Sequence, residues 1–171
     1  MKNKADLALK IALGVLVAAL AGVIVSSLRQ RVVEVGDRAP NFHITTDQGK
    51  EISLKDFGGK VLVLNFWAAW CEPCVEETPS LNEFTRATAD SGVVVLGVSV
   101  DRNQKLYEQF KRRFQIAFQT SRDPDENLSS SFGTFKYPET YIIDRQGVVR
   151  QKIISNRDWT DPAIVSFVKA L

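Results

Sequence analysis

The stretch KVLVLNFWAAWCEPCVEETP, residues 60–79, decides how this chain folds. Residues 61–67 are a nearly continuous apolar run, the signature of a strand covered on both faces and hence of a central parallel strand. A Trp-Cys-Glu-Pro-Cys turn follows, and a helix starts at or just after Cys71. Val75, Thr78, Leu81 and Phe84 give that helix a buried face, and Pro79 inside it is expected to kink it. A second apolar run over residues 93–100 completes a βαβ unit with a right-handed crossover. Cys71 and Cys74 are the only cysteines. A bridge between them closes too short a loop to remove much chain entropy, so the pair reads as catalytic or as half of a metal site.

In a Cys-x-x-Cys at a helix start the first thiol meets unpaired N–H groups and the positive end of the helix dipole, which favour a thiolate. The second lies one turn further in. Cys71 then attacks a substrate disulfide, and Cys74 attacks the Cys71 sulfur of the mixed disulfide and releases the reduced substrate. Pro73 suits the first helical turn, where a missing N–H is harmless. Glu72 works against the dipole by raising the pKa of its neighbour. Glu76 and Glu77 add negative charge, so the pair is expected to be reducing. Asn65, polar within an apolar strand, reads as a core amide satisfied by backbone. Glu77 shares a helical face with Cys74 and is a candidate proton holder for it, against the plainer reading as a solvated helix glutamate. Tyr137-Pro138 leads into a strand, where a cis bond would leave the preceding backbone open to an extended peptide.

Working outward, residues 42–46 and 51–54 form a hairpin about Asp47-Gln48-Gly49-Lys50. His43, the one histidine, is read there as an exposed strand residue. Residues 55–60 are a loop. Residues 103–114 form a helix with Leu106, Phe110 and Phe114 in step, and residues 116–120 a short strand. Asp123-Pro124-Asp125-Glu126 reads as N-cap, first turn and capping box of a short helix that ends near Phe132-Gly133. Residues 140–143 and 148–154 flank Asp144-Arg145-Gln146-Gly147 as a second hairpin. Asp161-Pro162 opens the last helix, with Ile164, Val168 and Leu171 toward the core.

Residues 11–28 carry no charge. At 1.5 Å per residue they span about 27 Å, close to the hydrocarbon thickness of a bilayer. Lys2, Lys4 and Lys10 precede them and Arg29 and Arg31 follow. The organisation expected is a cytoplasmic N-terminus (1–10), a transmembrane anchor (11–28), a linker (29–35) and a globular domain (36–171) on the far side of the membrane. The rival reading, a signal peptide cleaved after Ser27, also exports the domain. The formal net charge is +2, of which residues 1–31 hold +4, leaving −2 for the rest. The excess of basic charge belongs to the tail, and no basic stripe interleaved with aromatics exists, so nucleic-acid binding is excluded.

FWAAWCEPCVEETPSL at 66–81, GDRAPNF at 36–42 and YPETYIID at 137–144 together resemble the thioredoxin-like extracytoplasmic thiol-disulfide oxidoreductases of the TlpA/ResA type. The resemblance implies an α/β thioredoxin fold, a mixed central sheet flanked by helices, with an added N-terminal β-hairpin and a central insertion. It implies that Cys71 is the nucleophile, Cys74 the resolving thiol, Pro138 a cis-proline and Glu77 the family's active-site glutamate. Asn65 falls where cytoplasmic thioredoxins carry a buried aspartate, so Glu77 takes over its proton role. Trp70, Tyr137 and Pro138 are expected to contact substrate, with Pro73 and Asn65 in support. Members with Cys-Glu-Pro-Cys reduce apocytochrome c before haem attachment and are re-reduced by a membrane thiol carrier. That implies a single-pass protein of the bacterial cell membrane with a periplasmic domain, acting through the Cys71–Cys74 pair with no other cofactor. Tyr137 stands where small or aliphatic residues are common, and Glu139 follows the proline, so the peptide-binding edge is expected to be bulkier and more acidic than usual. The competing functions are a disulfide-introducing oxidase, a zinc- or copper-binding module, and a peroxidase like the peroxiredoxin relatives that share the APNF segment.

Overall fold

The computed structural model describes residues 2–28 and 32–171, with side chains over 10–23 and 32–171. The first helix, α1, spans Lys2–Leu28, and its described side chains are exposed. Among the described residues no helix is long and apolar enough to cross a membrane. The anchor expected over 11–28 lies in part outside the residues whose side chains are described.

The second compact unit runs from Val32 to Leu171. Its elements are β1 (His43–Thr45), β2 (Glu51–Ser53), β3 (Val61–Trp67), α2 (Glu72–Thr88), β4 (Val93–Ser99), α3 (Gln104–Phe114), β5 (Gln119–Arg122), α4 (Asn127–Phe132), β6 (Glu139–Ile143), β7 (Val149–Ile154) and α5 (Pro162–Lys169). The five-stranded sheet has the order β5-β4-β3-β6-β7, and β1 and β2 pair separately as an antiparallel hairpin. β3 is central and buried at every position, as its apolar run requires. It is parallel to β4 but antiparallel to β6, so the sheet is mixed. This is the thioredoxin-like arrangement.

Side chains alternate across β3. Leu62, Leu64 and Phe66 join Phe42, Ile52, Leu128, Phe132 and Tyr141 on one face. Val61 and Val63 join Leu81 and Phe84 of α2, Ile164 and Val168 of α5, and Trp159 on the other. A third cluster forms past the carboxyl end of β3, where Trp67, Cys71, Cys74, Tyr107 and Phe110 meet. Strand ends of this kind are where open α/β sheets place their sites.

Several boundaries differ from the sequence expectation, each for a visible reason. Residues 32–35, expected in the linker, belong to the folded unit: Val33 is buried and its N–H donates to the Phe132 carbonyl at 3.0 Å. β5 starts at Gln119 rather than 116, because the Asn82 side chain of α2 ties down the preceding turn. Its amide donates to the Phe114 carbonyl at 2.8 Å and its oxygen accepts the Ala117 N–H at 2.7 Å. α4 starts at Asn127, not directly after Asp123. The Asp123 carboxylate still caps it, across a turn, by accepting the N–H groups of Asn127, Leu128 and Ser129. Residues 54–57, expected as the last strand residue and the start of a loop, are one turn of 3₁₀ helix closed by Ser53 and Asp56. α2 continues as one helix through Pro79.

Candidate active site

The site forms where β3 ends and α2 begins. Cys71 is the N-cap of α2, and its sulfur accepts the Cys74 N–H at 3.3 Å. Pro73 sits in the first turn, where no N–H is required. Cys71 and Cys74 are joined as a disulfide with Cα atoms 5.2 Å apart, and both are buried. Trp70, next to the bridge, is 66% exposed. Its ring meets Tyr137 edge-on at 6.0 Å. The Tyr137-Pro138 bond is cis. The Pro138 carbonyl accepts the Ser155 N–H at 2.9 Å, while among the described residues no hydrogen bond uses the main-chain N–H or carbonyl of Tyr137. The sequence-predicted residues Trp70, Tyr137 and Pro138 thus come together in one place, beside the disulfide.

On the inner side of α2 lies Glu77, 3% exposed. One oxygen accepts the Asn65 amide at 2.7 Å; the other accepts the Trp159 indole N–H and the Arg157 main-chain N–H, each at 3.3 Å. Asn65 also donates to the Thr140 hydroxyl at 2.9 Å. The core amide is therefore satisfied by side chains rather than by backbone. Burial raises the Glu77 pKa to about 7, and it outweighs the three hydrogen bonds, which pull the other way. Glu77 is thus neither the solvated helix glutamate nor a fixed negative charge: it takes up and gives a proton near neutrality. Glu72 and Glu76 remain exposed, and Glu76 accepts from the Asn156 amide at 2.5 Å.

A carboxyl whose folded pKa lies above its unfolded value binds its proton more tightly in the folded state. Its contribution to stability is therefore complete below pH 4.5 and falls away as pH rises toward 7. The oxidised protein is expected to lose about 3 kcal/mol across that window from Glu77 alone. Urea unfolding at pH 4 and pH 8 reads this as a difference in slope between wild type and Glu77→Gln, which lacks the Glu77 contribution. Identical slopes in the two proteins would contradict the assignment.

Two participants have no local sequence signal. Trp159, wholly buried, reaches Glu77 from the segment before α5. Asp101, just past β4, accepts the Ala69 N–H of the β3–α2 loop at 2.8 Å. A third residue corrects an expectation. Glu139 does not make the peptide-binding edge acidic, because it points to the opposite face of the sheet, 3% exposed, and pairs with Lys152 at 3.2 Å. His43 is exposed on β1. Among the described residues no group of three or more His, Cys, Asp or Glu side chains is placed to hold a metal ion.

Comparison with known proteins agrees with this geometry. The AhpC/TSA family profile matches residues 35–152. The chain is similar to the thiol-disulfide oxidoreductase ResA of Geobacillus kaustophilus, 35% identical over 156 residues, 90% of each chain. It is 34% identical to the ResA of Bacillus thuringiensis over 125 residues, 73% of this chain and 72% of that one. Among solved structures it is similar to the thioredoxin domain of a thiol-disulfide oxidoreductase from Bacteroides vulgatus. There the TM-score is 0.71 at 26% identity, covering 80% of this chain and 99% of that one. A thiol:disulfide interchange protein from Chlorobium tepidum gives 0.69 at 26% identity, covering 80% and 98%.

Proposed function

The chain belongs to the AhpC/TSA family and is a thiol-disulfide oxidoreductase of the ResA type, and on that premise we propose that it is a membrane-anchored reductase of extracytoplasmic protein disulfides. The observation that carries this is the pairing of a helix-capping Cys71 with a buried Glu77, on the inner side of the same helix, whose pKa burial raises to about 7.

The cycle starts from the dithiol. The Cys71 thiolate attacks one sulfur of the substrate disulfide; a Cys71–substrate S–S bond forms, and the substrate's other sulfur leaves as a thiolate and is protonated. Cys74 then gives its proton to the Glu77 carboxylate and attacks the Cys71 sulfur. The mixed disulfide breaks, the second substrate sulfur leaves as a thiolate and takes up the proton held by Glu77, and the Cys71–Cys74 disulfide remains. Two electrons pass from the protein thiols to the substrate. A membrane thiol carrier returns two electrons and two protons to restore the dithiol. Asn65 and Trp159 hold the Glu77 carboxyl in place. Trp70, the free Tyr137 backbone and Pro138 receive the extended substrate segment.

The uncharged run at 11–28, flanked by lysines and arginines, supports a single membrane-spanning anchor of a bacterial cell membrane, with the domain on the periplasmic side. The ResA-like Cys-Glu-Pro-Cys supports apocytochrome c, before haem attachment, as the substrate. The test is the rate at which the reduced full chain opens the disulfide of apocytochrome c, set against insulin. Faster reduction of apocytochrome c is the expected result. Failure to reduce either disulfide would overturn the reductase assignment, and equal rates would overturn the dedicated substrate.

A further inference from the structure

Asp101 takes no part in the exchange steps, yet it is 1% exposed just beyond the carboxyl end of β4. A single oxygen, Oδ2, accepts both the Ala69 N–H at 2.8 Å and the Ser99 hydroxyl at 2.7 Å. The Asp101 N–H in turn donates to the Ser99 hydroxyl oxygen at 3.1 Å. Ala69 lies two residues before Cys71 in the loop that carries β3 into α2. That loop is held at a second point, where the Val100 N–H donates to the Trp67 carbonyl at 3.0 Å. The path of the chain into the Cys71 cap is therefore fixed by the end of β4 through one neutral contact and one charged one.

We infer that Asp101 is a positioning residue for Cys71: its carboxylate fixes the loop that presents the thiol, and its buried negative charge disfavours the Cys71 thiolate and so keeps the couple reducing. This rests on Cys71 being the attacking thiol. The Cα atoms of Ala69 and Cys71 are two trans peptides apart, at most about 7.6 Å. Through the Ala69 N–H contact, the carboxylate and the sulfur are therefore at most about 15 Å apart. At an effective dielectric of about 20, a unit charge at that distance shifts a pKa by about one unit. Among the described residues no guanidinium pairs with it directly. Arg122 of β5 donates to the main-chain carbonyls of Asp101 and Arg102 at 3.4 and 3.2 Å, and Arg102 pairs with Glu126 at 3.9 Å, so neither guanidinium sits on the Asp101 carboxylate. On the thiol side the rings of Tyr107 and Tyr137 pack with the cysteines, and Lys111, which lies over the Tyr107 ring, is paired with Asp47.

Two substitutions separate charge from simple loosening. Asp101→Asn keeps an acceptor for the Ala69 N–H and removes the charge, so the Cys71 pKa should fall by about one unit. Ser99→Ala keeps the charge and removes the hydroxyl that partly offsets it, so the Cys71 pKa should rise by a few tenths. Both are read on the reduced full chain from the pH dependence of iodoacetamide alkylation, with mass spectrometry locating the label. A purely structural role would move both variants in the same direction. Shifts of equal sign, or none, overturn the inference; should Asp101→Asn not fold, the sign in Ser99→Ala decides alone. Label on Cys74 rather than Cys71 would instead overturn the assignment of the attacking thiol, whatever the shifts.

Discussion

Cys71→Ser is expected to lower disulfide exchange by more than about a thousandfold, the scale on which loss of an enzyme nucleophile acts. Cys74→Ser is expected to do something different. It leaves the first attack intact and blocks the second, so the substrate stays attached to Cys71. On a non-reducing gel this variant should accumulate an adduct that dithiothreitol releases, and Cys71→Ser should form none. The asymmetry follows from position. Cys71 caps α2 beside the exposed Trp70 indole, whereas Cys74 lies inside the first turn of the helix that also carries Glu77. An adduct formed by Cys71→Ser and not by Cys74→Ser would reverse the two roles.

The second large effect lies beneath the cis-proline. Glu139 follows Pro138 directly and is closed to solvent, with its Oε1 accepting from the Tyr141 hydroxyl at 2.8 Å and from Lys152 at 3.2 Å. The Lys152 side chain, 9% exposed, also donates to the Val33 carbonyl at 3.1 Å and lies over the Tyr141 ring. Breaking a buried ion pair from one side strands the other charge and costs about 3–5 kcal/mol. Glu139→Leu should fall at the lower end, because Lys152 keeps the Val33 carbonyl and the exposed Glu34 at 3.6 Å. Lys152→Met leaves Glu139 with the Tyr141 hydroxyl alone and should cost more. The double variant replaces both charges by apolar groups of similar size and should return to within about 1 kcal/mol of wild type. Urea unfolding of the four proteins gives the cycle. Single variants that each lose less than about 1 kcal/mol would show that the pair does not hold this part of the sheet.

How much of this was legible in the sequence depended on whether the signal was local. The apolar run of β3, the Cys-x-x-Cys at a helix start and the Tyr137-Pro138 approach to β6 are each written within a few residues, and each stands where expected. The Asp144–Gly147 turn is as local, closed by the Asp144 carboxylate on the N–H groups of Gln146 and Val148. Asp101 on Ala69, Trp159 on Glu77 and Asn82 on Ala117 join residues far apart in the chain, and nothing beside any of them announces the partner. Glu77 shows the limit most clearly. Its spacing from Cys74 put it on the right face, but its burial depends on β3, β6 and the segment before α5 closing over it. Glu139 was readable and was misplaced. In the run Glu139-Thr140-Tyr141-Ile142-Ile143 a period of two puts Glu139 with Tyr141 and Ile143, on the face turned away from the disulfide.

The central claim is that this couple gives electrons to other proteins' disulfides. Its most direct test is the reduction potential of the Cys71–Cys74 pair in the detergent-solubilised full chain, equilibrated against glutathione and dithiothreitol buffers across pH. A potential at or below about −270 mV, the value for thioredoxin, is the predicted result. A potential near about −120 mV, at the strongly oxidising end, would contradict it and make the protein a donor of disulfides.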